Sequence, residues 1–153
     1  MIKKKKQKST LKKSKDKAWS AFSLFIRLRG VKEYLEKHPE TNEPLAECVT
    51  CDFDKVRHYK ELQAGHWIGG RKNAVLFDEE TVFPQCYGCN VMQQGRGSAY
   101  GIFMNDKYGS EKVKELYARK FKEVKYNEED YKNIEREYIV KYSLLADELG
   151  IDI

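Results

Sequence analysis

The sequence predicts an α+β protein: a small core of short strands with helices flanking it at both ends. Three observations predict this. All four cysteines fall in two C-x-x-C pairs, Cys48/Cys51 and Cys86/Cys89. Short strand-like pieces lie between the pairs around a glycine turn, and outside them apolar residues recur at helical spacing. The 153 residues fit one compact domain with extensions. A mean hydropathy of −0.76 with 35% charged residues leaves little apolar material for a core of that length, so the compact part needs a staple.

Residues 1–15 read as a lysine-rich flexible arm. The first seventeen residues hold nine lysines against one aspartate, so a local +8 is set against a total of +5 and the remainder carries −3. Such an arm suits a polyanion, nucleic acid being the commonest intracellular candidate; the alternative is a solvated tail that aids solubility. Residues 16–47 read as a helix and a linker. Asp16 can cap a helix running to Arg29, with Gly30 as its stop, and Ala18, Trp19, Phe22, Phe25 and Ile26 form its apolar stripe. Pro39 and Pro44 break any helix in the linker.

Residues 48–97 carry the chemistry, with "ELQAGHWI" and "AVLFDEETVF" as strand-like pieces around the turn "GGRKN". Residues 98–153 read as helices: one from Tyr100 to Tyr108, one opened by Ser110 and ending near Lys122, and one capped by Asn127 and closed by Gly150. In the last, Tyr131, Ile134, Tyr138, Tyr142, Leu145 and Leu149 form a packing face or a dimer seam. The lysines of these helices alternate with glutamates and read as solvated faces. Ser20, Ser23 and Arg27 interrupt "AWSAFSLFIRL" too often for a secretory signal, and no run of about 18 apolar residues could span a membrane. The chain reads as cytoplasmic, with its cysteines reduced.

Two C-x-x-C turns supply four thiolates, a closed tetrahedral set that marks a structural zinc rather than a catalytic one. Such a site contributes roughly 10 kcal/mol or more to folding, the staple that the composition calls for. The competing readings are a redox pair, unrelated buried cysteines, or an iron–sulfur cluster. His66 sits where a strand-like piece meets the glycine turn. A histidine there can take a proton from water, since it titrates near neutrality, or can simply be structural.

A histidine ending one strand, a turn, a second strand, and C-x-x-C-N opening a helix resemble the zinc-bound HNH, or ββα-metal, nuclease motif. "AWSAFSLFIRLRG", "CVTC", "QAGHWI", "VFPQCYGCN" and "YGIFMNDKYG" together resemble the phage recombination endonuclease family NinG (Rap) over roughly residues 11–125. The resemblance implies an HNH-like ββα-metal core, and a nuclease acting on branched DNA such as Holliday junctions and D-loops during phage or prophage recombination in a bacterial host cell. It implies His66 as general base and Asn90 as ligand of a catalytic divalent metal, Mg²⁺ or Mn²⁺, with zinc on Cys48, Cys51, Cys86 and Cys89. Symmetric cutting of a junction would call for two active sites and hence a homodimer, and other phage recombination proteins are candidate partners.

Two positions depart from the motif. Gly65 stands where many HNH sequences carry a second metal ligand, although "AGH" is the form in this family. Thr81 stands where an asparagine normally orients the base; its hydroxyl or Asn73 is the available substitute. Arg71 and Lys72 on the turn, with Arg96 beyond the second cysteine pair, are candidate phosphate contacts. Trp67 is a candidate for stacking on an unpaired base, or else part of the core. The rival function is a non-catalytic zinc-binding module that binds DNA or recombination proteins. A weaker rival is a protein-interaction zinc ribbon.

Overall fold

Helix α1 (Thr10–Lys37) forms one long wall of the molecule. The structure, a computed structural model, describes residues 9–153; the first eight residues of the expected flexible arm lie outside the described residues. The helix begins earlier and ends later than expected. Ser9 caps it, its hydroxyl accepting from the Lys12 amide at 3.2 Å, so residues 10–15 are helical and not part of an arm. Asp16 does not cap; its carboxylate pairs with Lys12 one turn back at 3.1 Å.

Gly30 does not stop α1 either. A Cβ there would stand 2.8 Å from Pro84 Cγ and 3.2 Å from the Ala46 Cβ, so this glycine lets the helix press directly onto the strands. A glycine in a helical pattern reads the same whether it ends a helix or permits close approach. The helix ends at Lys37, just before Pro39.

Strands β1 (Leu45–Glu47) and β2 (Val56–His58) form an antiparallel hairpin that the sequence did not announce, and the first cysteine pair sits in its loop. Strand β3 (Gln63–His66) pairs antiparallel with β4 (Val82–Gln85), with Gly65 opposite Phe83 and His66 opposite Val82. Between them "AVLF" was expected to be extended, yet Asn73–Leu76 is a single helical turn, α2. Val75 and Leu76 are both fully buried, and their burial overrides their strand propensity.

Strand β4 runs directly into Cys86 and a π-helical turn, Gly88–Met92. Then come α3 (Gly97–Tyr108), α4 (Ser110–Ala118) and α5 (Glu128–Leu149). The result is a mixed α+β fold with two small antiparallel sheets. Asn127 caps α5 as expected, in a reciprocal pair with Asp130, and Gly150 ends it in a left-handed conformation.

The two apolar stripes meet each other. Phe22 of α1 packs edge-on against Tyr138 of α5 with ring centroids 4.9 Å apart, and Leu145 and Ala146 join Leu28 and Val31 in the cluster around the cysteines. The α5 stripe is therefore a packing face within the chain. Among the described residues, no helix is long and apolar enough to cross a membrane.

Candidate metal centre and the adjoining cavity

The β1–β2 loop brings Cys48 and Cys51 up to Cys86 and Cys89 at the end of β4. The four Sγ atoms lie within 4.8 Å of one another, with Cys51 Sγ 3.4 Å from that of Cys86 and 3.5 Å from that of Cys89. A tetrahedral zinc with bonds of about 2.3 Å sets its sulfurs about 3.8 Å apart, so this donor set fits such an ion. Burial opposes ionisation of the Cys48 thiol, but hydrogen bonds from the Cys86 and Thr50 backbone bring it down to about 7. Burial pushes the Cys51 and Cys89 thiols up, and neighbouring sulfurs add to this at Cys51. Four thiolates share so small a space only around a cation.

The cluster is braced from behind. Gln85, fully buried, donates from Nε2 to Thr50 Oγ1 and to the Gly95 carbonyl, both at 2.9 Å. The Thr50 hydroxyl, its oxygen occupied by that donor, is left to donate toward Cys48 Sγ at 3.6 Å. Hydrogen bonds of this kind to a ligand sulfur orient it for the metal.

Beside this centre a cavity of about 610 Å³ opens between α1, the 60–62 segment, β3 and the turn carrying Asn90. His66 and Asn90 both line it, together with Trp19, Arg27, Glu61, Gln63 and Arg71. His66 Nε2 lies 3.0 Å from the Leu76 carbonyl. A carbonyl only accepts, so Nε2 carries the proton and Nδ1 the lone pair. The imidazole stacks on Trp19 with centroids 4.9 Å apart and a 20° tilt. Burial holds its pKa below the ordinary histidine value; the Leu76 carbonyl opposes this and the Arg71 charge adds to it. His66 is neutral at pH 7, the state a base requires.

Asn90 is held at both ends. Its amide N–H bonds the Cys86 carbonyl at 2.9 Å, and its side-chain Nδ2 donates to Gln63 Oε1 at 2.8 Å. The Nδ2 contact leaves Oδ1 as the acceptor without a partner among the described residues. Arg71 also lies on the wall, its guanidinium 5.5 Å from the Trp19 ring centroid.

Arg27, which in the sequence is only an interruption of an apolar run, is part of the wall. Its Nε donates to the Ser23 carbonyl at 3.1 Å and its Nη1 to the carbonyls of Lys60 and Leu62 at 3.4 and 3.3 Å. All its partners are neutral, no carboxylate among the described residues pairs with it, and burial lowers its pKa. A guanidinium so placed favours an anion in the cavity. The signal was its position, a charge interrupting the α1 stripe. Glu61, the single carboxylate on the wall, was missed.

Other expected residues lie elsewhere. Trp67 is partly buried with Phe83, Tyr100, Met104 and Leu116 and packs on Tyr117; it belongs to the core and not to the cavity wall. Arg96 is committed to the first cysteine loop, donating to the Thr50 carbonyl at 2.7 Å and to Asp52 at 3.1 Å. Lys72 lines a different cleft from Arg71. Neither Thr81 nor Asn73 orients His66. The buried Thr81 hydroxyl has no partner among the described residues, and Asn73 bonds the Val124 carbonyl. The Leu76 carbonyl performs that task.

The fold and the sulfur cluster define a small α+β protein whose four cysteines are positioned to bind a metal ion. The chain belongs to the bacteriophage lambda NinG family: the model of that family, described as "Bacteriophage Lambda NinG protein", matches residues 1–148. No curated protein and no solved structure matches the chain.

Proposed function

We propose that this protein is a metal-dependent, structure-selective endonuclease that cuts branched DNA, such as Holliday junctions and D-loops, during phage or prophage recombination. Family membership supports the phage setting. The observation that carries the catalytic reading is the shared cavity: a neutral histidine and an oriented asparagine on one wall, with two arginines beside them.

In this reading His66 Nδ1 accepts a proton from water as the water oxygen attacks phosphorus and the bond to the leaving oxygen breaks. Trp19 and the Leu76 carbonyl hold the ring's plane and tautomer through that step. Arg27 and Arg71 hold the phosphate oxygens without reading sequence, as an enzyme selective for shape requires. Asn90 Oδ1 with Glu61 offers hard oxygen donors suited to Mg²⁺ or Mn²⁺, which when bound would polarise the phosphate and stabilise the leaving oxygen. Glu61, the carboxylate on the same wall, would supply the donor that Gly65 cannot.

The test is a four-way junction beside a matched linear duplex, with Mg²⁺ or Mn²⁺, using wild type, His66→Ala and Asn90→Ala. Junction cutting lost in both variants with binding kept is the expected result. Binding without cutting in every metal would instead establish the non-catalytic DNA-binding module, a reading favoured by the missing side chain at Gly65. Cutting unchanged in His66→Ala would remove histidine from the mechanism.

A further inference from the structure

Arg71 and Lys72 are neighbours in the chain, yet they line different cavities. The backbone turns sharply between them, with Arg71 in the left-handed region at φ 47°. Lys72 faces a second open cleft of about 580 Å³, whose far side is the segment 120–125. That side contributes Lys120, Lys122, Lys125 and Phe121. The two sides are tied together: Asn73 Nδ2 donates to the Val124 carbonyl at 3.0 Å, and the Tyr126 hydroxyl donates to the Asn73 carbonyl at 3.3 Å. The cleft is therefore preformed.

Its charges differ from those on the neighbouring helices. Lys112, Lys132 and Lys141 each pair with a glutamate, as alternating charges in the sequence suggested. Lys72, Lys122 and Lys125 pair with no carboxylate among the described residues, and the single acid on the cleft is Glu123. Between these ammonium groups Phe121 is 73% exposed, with Lys120 Nζ 5.1 Å from its ring centroid. An exposed phenyl ring among unpaired lysines adds nothing to packing. It is the combination that holds a nucleic acid strand, bases stacked on the ring and phosphates on the cations.

We propose that this cleft binds an unpaired DNA strand, Phe121 stacking one base while Lys72, Lys122 and Lys125 meet the phosphates. Arg71 and Lys72, consecutive on one turn, set it beside the His66 cavity, so it would receive the single-stranded flank of a branched substrate. A duplex does not fit this chemistry, because its bases present no free face to a ring. The proposal rests on the reading of the protein as acting on DNA, but not on its cutting.

The experiment compares wild type, Phe121→Ala and Lys122→Glu/Lys125→Glu, each zinc-loaded and checked for native circular dichroism. Fluorescence anisotropy is measured with a labelled oligothymidine, a linear duplex and a four-way junction over a salt series, with polyglutamate as competitor. Phe121→Ala should weaken oligothymidine binding about tenfold and leave duplex binding unchanged. The double charge reversal should weaken oligothymidine binding further. It should also flatten the salt dependence by about 1.4 in log–log slope, because two phosphates keep their counterions. Oligothymidine affinity unchanged in both variants overturns the proposal. So does polyglutamate displacing the oligonucleotide from wild type with the same sensitivity to both variants, which would mark an acidic-peptide site. A wild type that binds oligothymidine through Phe121 but cuts nothing would refute the nuclease reading and leave the cleft standing. Junction cutting with binding unchanged in the variants would do the reverse.

Discussion

A Cβ added to Gly65 would stand 1.9 Å from Oε1 of Gln85, inside the volume of that amide. The position to which the resemblance to HNH sequences would assign a metal-binding side chain is thus filled from the opposite strand by the residue that braces the cysteine loops. Gly65→Ala forces Gln85 to move and breaks its bonds to Thr50 and Gly95. We expect a loss of about 1–3 kcal/mol, from overpacking and from buried polar groups left unpaired. Urea unfolding of Gly65→Ala and of the Gly65→Ala/Gln85→Ala double variant measures it. The double variant should cost less than the sum of the singles, and strict additivity would show that the two residues do not compete for space.

The cysteine centre should bind about one zinc per chain, measured by elemental analysis of the purified protein. Removal by chelator should unfold the β1–β2 loop and β4 together, because Cys48 and Cys86 carry residues of both sheets into one cluster. Cys89→Ser should lower zinc affinity and the cooperativity of unfolding. A folded, metal-free wild type would contradict the assignment.

In the proposed mechanism His66 would make activity and stability depend on pH in the same direction. Cutting should be lost on an acid limb that lies below the ordinary histidine value of about 6.5, because burial depresses its pKa. For stability, the folded protein binds fewer protons at this group than the unfolded chain between the two pKa values. Its contribution is therefore complete above about pH 6.5 and is lost as pH falls toward the lower folded value. The rate profile of wild type, with denaturation of wild type and His66→Gln from pH 5 to about 8, reads both effects. An acid limb centred above pH 7 would contradict the burial argument.

Arg27→Lys keeps the charge but loses the fork that spans three carbonyls and, in the proposed mechanism, would hold a phosphate. The KM for junction DNA should rise about tenfold, the scale of one charged hydrogen bond, with kcat changed far less. A fall in kcat alone would move Arg27 from substrate binding to the positioning of His66 through α1.

Asn127→Ala removes the cap of α5 and should cost about 1 kcal/mol in thermal unfolding, without changing zinc content. No loss would mean that α5 is held by its packing on α1 alone.

The cysteine pairs, the capped and glycine-ended α5, and the placement of His66 at the end of a strand before a turn were legible because each is a local pattern. A knuckle, a cap or a strand end needs only a few consecutive residues. The limits of α1 were not legible, since Gly30 owes its presence to Pro84 and Ala46 rather than to its neighbours in the chain. Nor was α2, whose apolar run reads equally as a strand until burial chooses the helical turn.

The wall of the cavity belongs to the same class. Trp19 and Arg27 come from α1 and the Leu76 carbonyl from α2, so no motif spacing relates them to His66 or Asn90, and Gln63, on the same strand as His66, meets Asn90 only across the fold. Chain order chose the chemical groups and the local turns that carry them. Packing of α1 against the strands decided which groups face one another, because contact across a fold depends on burial and shape and not on distance along the backbone.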